Sequence, residues 1–427
     1  MLFSRHKDVL PNGLTAVTVE LPHLHSVSIV MYARVGSRYE SSRDNGLSHF
    51  LEHMLFRGTK RLPDAYALNH AIEALGGTLY AETGRDYSLY QISLHPETLL
   101  PGLELFGEIF QQPSFSDVDV ERRIVLEEMH EDHDEDGKLV NIDDISRLVI
   151  WPDHPLGYRI TGPYENVERF DAADVRRHFA THYGAHNMVL AVSGAVKRDE
   201  IIDVLTRTMG TLPSGAALEV VAPPESQTEA RFVYVLREGS QTNVQVLFRA
   251  FPETDPDFPA LIALGRIIDD GMSTRLHRRI VDELGLAYYV SASLEPFVDA
   301  GLYEIDGACV HNHAPALVKE GLGVLTRLRD EPPTQAELDK AQRRYRWDLE
   351  ASFDDPDAMA GWWGGTELFF GPLSVDAKVE RVRQVTPEAV QRVARRLLRP
   401  ERLTVACVGM LTKKLEREVR AVVDEFQ

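Results

Sequence analysis

The sequence predicts an α+β fold made of two homologous halves, each an antiparallel-rich sheet with helices packed on it. Three observations carry that expectation. An apolar run, VLAVSG at 189–194, recurs 215 residues later as TVACVG at 404–409, and each run is followed by a turn glycine and a helical stretch. Strand-like and helix-like segments come in blocks, without the strict alternation of a parallel doubly wound sheet. At 427 residues the chain exceeds the size at which one core usually stops growing.

Each half opens with extended segments rich in β-branched and aromatic residues, at 14–35 and 232–251. In the first half, helices are expected near 45–57, 64–75, 96–111 and 117–135, and strands near 78–81 and 87–94. Between the halves, LPSGAALEVVAPPESQTEAR has neither helical nor strand period and reads as a linker. The expected division is therefore a metal-binding domain at 1–215, a linker at 216–230 and a second domain at 231–427.

Composition narrows the partners. An apolar fraction of 44% and a charged fraction of 26% are those of a folded soluble chain. The net charge of -20 opposes nucleic acid and anionic membrane and favours cationic ligands such as a basic peptide. Cys309 and Cys407 lie in apolar, strand-like stretches and make neither a disulfide framework nor a C-x-x-C site, so any metal here must use histidine and carboxylate. The opening MLFSRHKDVLPNGLTAV lacks the features of a secretory signal, and no run approaches the length of a spanning helix, so a cytoplasmic location is expected.

The chemistry is concentrated in NGLSHFLEHMLFRGT. Leu47, Phe50, Leu51, Met54 and Leu55 recur at helical spacing and form one apolar face. His49 and His53, four apart, project from neighbouring turns of one side and can grip a single ion. Glu52 adjoins the pair, placed to hydrogen-bond a water rather than to ligate. Zinc suits two imidazoles and a carboxylate, and a catalytic zinc site leaves one position to water. A further ligand is needed, and ERRIVLEEMHEDHDED supplies carboxylates on a helical period. Glu121 and Glu128 are seven apart and face the same way, with Ile124 and Val125 between them to seat the helix; Glu127 points about 100° away from Glu128. The acidic run at 131–136 reads as a solvated helix end, and His130 and His133 as decoys within it.

The H-x-x-E-H motif at His49, Glu52 and His53, with GGTLYAETGRDYSLY, RRIVLEEM and GMSTRLHRRIVDELGLAYYV, resembles the inverzincin peptidases of family M16, over nearly the whole chain. The resemblance implies a zinc metalloprotease with His49, His53 and Glu128 as ligands of one Zn2+, Glu52 as catalytic base and Glu121 in support. It implies substrate peptides added as a strand along Thr78, Leu79, Tyr80, Ala81, Glu82 and Thr83, and a dimer whose four halves enclose a chamber. Family members usually carry an Arg and a Tyr seven apart in the second half. Tyr288 matches as a catalytic residue, but Val281 stands where the Arg is expected. Arg278 is one substitute. A partner chain of the same family is the other, so the pairing is a homodimer or a heterodimer. The competing readings are a non-catalytic or partner-dependent subunit and a zinc hydrolase of non-peptide substrates.

Overall fold

The structure, a computed structural model, describes residues 3–426. The chain forms two compact units: the first holds the chain through Met129, Tyr158–Val221 and Leu349–Leu373, the second His130–Gly157, Ala222–Asp348 and the chain from Ser374.

The sheet of the first unit has six strands, β1 (Ser4–Val9), β2 (Thr15–Glu20), β3 (Val27–Ala33), β4 (Thr78–Thr83), β5 (Ser88–Leu94) and β6 (Met188–Gly194), in the order β1-β2-β6-β3-β5-β4. Only β2 and β6 run parallel. β3 is buried along its whole length, because both faces of the sheet are covered. Ile29 and Met31 face a core shared with the helices α1 (Leu47–Leu55), α2 (Ala65–Ala74), α3 (Leu99–Gln111) and α4 (Val118–Glu128). Val30 and Tyr32 face Met359, Ala360 and Trp363 instead. That second cover is a tight one: a Cβ at Gly364 would come within 2.5 Å of Ala191 Cβ.

The second unit repeats the plan with β7 (Arg231–Leu236), β8 (Thr242–Ala250), β9 (Tyr289–Pro296), β10 (Gly301–Cys309) and β11 (Leu403–Gly409), ordered β7-β11-β8-β10-β9. β7 and β11 are its parallel pair, and β11 starts 215 residues after β6. Val246, Phe248, Ile305 and Cys407 face one core, with helices Phe258–Ile268, Ala314–Asp330 and Pro387–Leu397. The opposite face, with Leu247, Leu302 and Val408, is covered by α5 (Ile142–Ile150) and by Trp151 and Leu156. Cys309 and Cys407 are free and buried in these strands, and burial pushes the Cys309 thiol up to about 11.

Five strands of the first sheet, β2-β6-β3-β5-β4, correspond in order to β7-β11-β8-β10-β9 of the second, a repeat of the kind expected from the internal echo. The contiguous boundaries at 215 and 231 do not describe the units. Residues 130–157 pack with the second sheet and 349–373 with the first, because each sheet has two apolar faces and its own helices cover only one. β1 was absent from the expected elements: its residues are mostly polar and exposed, as suits a sheet edge. The helix expected over 117–135 is shorter: α4 stops at Glu128 and passes directly into a 3-10 turn, Met129–Asp132, in which the acidic run begins. No helix of the described residues is long and apolar enough to cross a membrane.

Two further helices of the first unit, α6 (Tyr164–Arg169) and α7 (Ala172–His182), lead to a buried histidine pair. The His178 and His182 rings lie tilted to each other with centroids 4.2 Å apart, and His178 Nε2 lies 3.1 Å from Ser48 Oγ on α1. Burial pulls His182 down to about 4 and His178 well below its ordinary value. The unfolded chain therefore binds protons that the folded chain refuses. The pair's contribution to stability is complete above about pH 6.5 and is lost as pH falls toward 4. His182 alone should cost about 2 kcal/mol between pH 7 and pH 5. Denaturant titrations at the two pH values measure it, and His182→Gln should flatten the slope.

Candidate metal centre

Helix α1 starts where Gly46 takes φ 102, a left-handed conformation that favours glycine, and a Cβ there would meet the Thr161 carbonyl at 2.6 Å. The freed amides at this end are met by Glu40, 5% exposed, whose carboxylate accepts from the Gly46 and Ser48 N–H groups at 2.9 and 2.6 Å. Leu47, Phe50, Leu51, Met54 and Leu55 are all fully buried, which fixes the helix about its axis. His49 and His53 consequently share one side, with ring centroids 4.8 Å apart.

Glu128, the last residue of α4, completes the cluster. Its Oε1 lies 3.4 Å from His49 Nε2 and its Oε2 3.4 Å from His53 Nε2, and the three donors fall within 4.8 Å of one another. Zinc bonds of about 2.1 Å at the corners of a tetrahedron put ligand atoms about 3.4 Å apart, so the donors are spaced to hold such an ion. His49 turns Nε2 toward Glu128, while its Nδ1 is buried without a hydrogen-bond partner. Glu52 is not one of the converging donors. It is half-buried, and its Oε2 accepts a hydrogen bond from the Thr83 hydroxyl at 2.5 Å.

Around the donors stands a supporting layer. Glu121, 5% exposed, accepts from His53 Nδ1 at 2.8 Å, the arrangement that orients a metal-binding imidazole, and forms an ion pair with Arg57, whose Nε lies 2.9 Å from its other oxygen. Arg57 follows His53 by one helical turn, a spacing the sequence displays but that carried no signal without its partner. On α4 the inward face is Glu121, Val125 and Met129; Ile124 is 46% exposed, one step around the helix, and does not seat it. Burial would lower the His53 ring, but Glu121 and Glu128 outweigh it and raise it to about 9. Both rings hold Glu128 well below the usual carboxylate range.

A second convergence, Asp143, Glu304 and Asp306, lies in the other unit. Arg147 stands among these carboxylates, 2.7 Å from Glu304 and 3.4 Å from Asp143, and supplies the counter-charge itself. His130 and His133 join neither group.

The comparisons with known proteins agree with this chemistry. The family model described as Insulinase (Peptidase family M16) matches residues 15–163, and that described as Peptidase M16 inactive domain matches 169–345. A protein of Mycobacterium tuberculosis named an uncharacterized zinc protease is 30% identical over 429 residues, 98% of this chain and 96% of the relative. The chain belongs to peptidase family M16. A second relative, an uncharacterized zinc protease of Streptomyces coelicolor, is 29% identical and is matched over 90% of its length and 96% of this chain. The fold is that of a protease from Helicobacter pylori (TM-score 0.89, 22% identity, 96% of this chain and 100% of that one). It is also that of a peptidase M16 inactive domain from Pseudomonas fluorescens (TM-score 0.86, 20% identity, 96% and 99%).

The remaining residues singled out by the M16 resemblance divide by unit. β4 is an edge strand of the first sheet, bonded to β5 alone among the described strands. Thr78, Tyr80 and Glu82 are exposed on it, Leu79 and Ala81 half-buried and Thr83 buried. In the second unit Tyr288 precedes β9 and is 95% exposed. Val281 lies in a π-helical turn, Arg278–Glu283, and packs against the core there. Arg278 pairs with Glu283 at 2.9 Å.

In the metal-free M16 chain His53 carries a proton below about pH 9, and a metal ion must displace it. Zinc affinity should therefore rise with pH up to about 9, with proton release visible by calorimetry in buffers of different ionisation enthalpy. Glu121→Gln should weaken zinc binding about 10- to 100-fold by loosening the His53 ring.

Proposed function

We propose that this M16 chain is a zinc-dependent endopeptidase acting on short or unfolded peptides. The observation that carries the reading is the convergence of His49, His53 and Glu128 with Glu52 beside them and outside the donor set. His49, His53 and Glu128 would hold the zinc, which would supply Lewis acidity to polarise a carbonyl and make water easier to deprotonate near neutral pH. Glu52 takes the proton of the attacking water and delivers it to the nitrogen of the leaving amine. Glu121 and Arg57 keep His53 turned toward the donor set.

The open edge of β4 supports a peptide substrate, since an added strand binds through backbone hydrogen bonds and tolerates varied side chains. The net charge of -20 favours basic peptides. Tyr288, exposed ahead of β9, offers a phenol to the substrate in this reading. A cytoplasmic location belongs to it too, consistent with two free cysteines.

Val281 favours a second version, in which the chain is the metal-bearing subunit of a pair and a family partner donates the arginine. A homodimer is the alternative pairing. Gel filtration and activity of the chain alone separate them: full activity without a partner rules out an obligate heterodimer. The general reading is tested by incubating the zinc-loaded chain with a mixed peptide library and reading products by mass spectrometry. Cleavage absent with Glu52→Gln is the expected outcome. No cleavage by the wild type, either alone or mixed with an M16 partner chain that carries the arginine, overturns the peptidase reading.

A further inference from the structure

We infer that Thr83 is a positioning residue for Glu52, and not one of the strand residues that receives substrate; this rests on Glu52 being the base. Along β4 the side chains alternate, with Thr78, Tyr80 and Glu82 exposed and Leu79 and Ala81 packed toward the core. Thr83 falls in register with the inward set and is only 7% exposed. Its side chain therefore lies on the helix-covered face of the sheet and is nearly closed to solvent.

What it meets is Glu52. Thr83 Oγ1 and Glu52 Oε2 are 2.5 Å apart, the short separation of a hydroxyl donating to a carboxylate. The donor is itself confined. Thr83 is β-branched, with few side-chain rotamers open to it, and sits in a paired strand opposite Ser88. Ser88, fully buried, lies 3.3 Å from the Thr83 hydroxyl and 3.2 Å from the Val35 carbonyl. With Ser88 donating to one of these, Glu52 is the remaining strong acceptor for the Thr83 proton. One carboxylate oxygen is thereby tied to β4, while Oε1 has no protein partner among the described residues and is left to handle the proton of the attacking water. A base on a helix is thus braced by a strand, which limits the side-chain freedom that a half-buried glutamate otherwise keeps.

The test compares zinc-loaded wild type, Thr83→Val, Thr83→Ala and Thr83→Ser on a peptide that the wild type cleaves, reading kcat, KM and zinc per chain. Loss of the hydroxyl in Val or Ala should lower kcat about 10- to 100-fold, with KM and zinc content unchanged. Serine, which keeps the donor, should stay within a few-fold of wild type. A substrate-binding role would raise KM instead. Unchanged kcat in both Val and Ala, a rise in KM alone, loss of zinc, or a serine variant as slow as alanine would each overturn the inference. Failure of the wild type to cleave any peptide, alone or with an M16 partner chain that carries the arginine, removes the peptidase reading and this one with it. Cleavage abolished by Glu52→Gln but untouched by Thr83→Val and Thr83→Ala removes this one alone.

Discussion

Glu52→Gln is expected to leave a folded chain that binds zinc at full stoichiometry and hydrolyses peptides about a hundred to ten thousand times more slowly. The substitution keeps size and shape, and the glutamine carbonyl still accepts from the Thr83 hydroxyl that holds Glu52 at 2.5 Å. Zinc is retained because Glu52 is outside the donor cluster. What is lost is basicity alone, since an amide takes no proton from water near neutral pH. The effect should therefore fall on kcat, with KM little changed. Steady-state kinetics beside metal analysis separates this from a general loss of structure. Cleavage at the wild-type rate would remove Glu52 from the chemistry.

The second large effect is expected at Glu128. Structural zinc sites bind with about 10–16 kcal/mol, and on that scale one of three protein donors carries about 3 kcal/mol or more, a factor on the order of a hundred or more in affinity. Glu128→Ala should lose that affinity and, with it, activity at limiting zinc. Glu128 is the cleanest donor to remove, because its side chain is 45% exposed at the end of α4 and little packs on it. His53→Ala should lose as much zinc and also stability, since it strands the buried Glu121 with Arg57 as its remaining partner. Competition titration with a zinc chelator measures both. An unaltered affinity in Glu128→Ala would displace that residue from the donor set.

The donor cluster was legible because it depends on short-range periodicity. His49 and His53 are a helical turn apart, and the apolar face of α1 orients both. Glu128 was reachable as one of two carboxylates on a helical period, and only the family resemblance chose between it and Glu121. The strand echo was legible for a similar reason, because β6 and β11 are central strands with continuous apolar runs. Other features depend on distance partners that no period reveals. Nothing near 130–157 or 349–373 states which sheet those segments cover. Glu40 caps α1 from a loop, and a glutamate ahead of a helix looks like any solvated charge. Thr83 is the instructive case. Period two from Leu79 and Ala81 already turned it inward, but reading the strand as one binding surface hid that.

Anomalous diffraction at the zinc edge, from crystals of the zinc-loaded chain, tests the central claim most directly. The donor geometry requires one peak per chain among His49 Nε2, His53 Nε2 and the Glu128 carboxylate. No peak there, or one only at Asp143, Glu304 and Asp306, would contradict it.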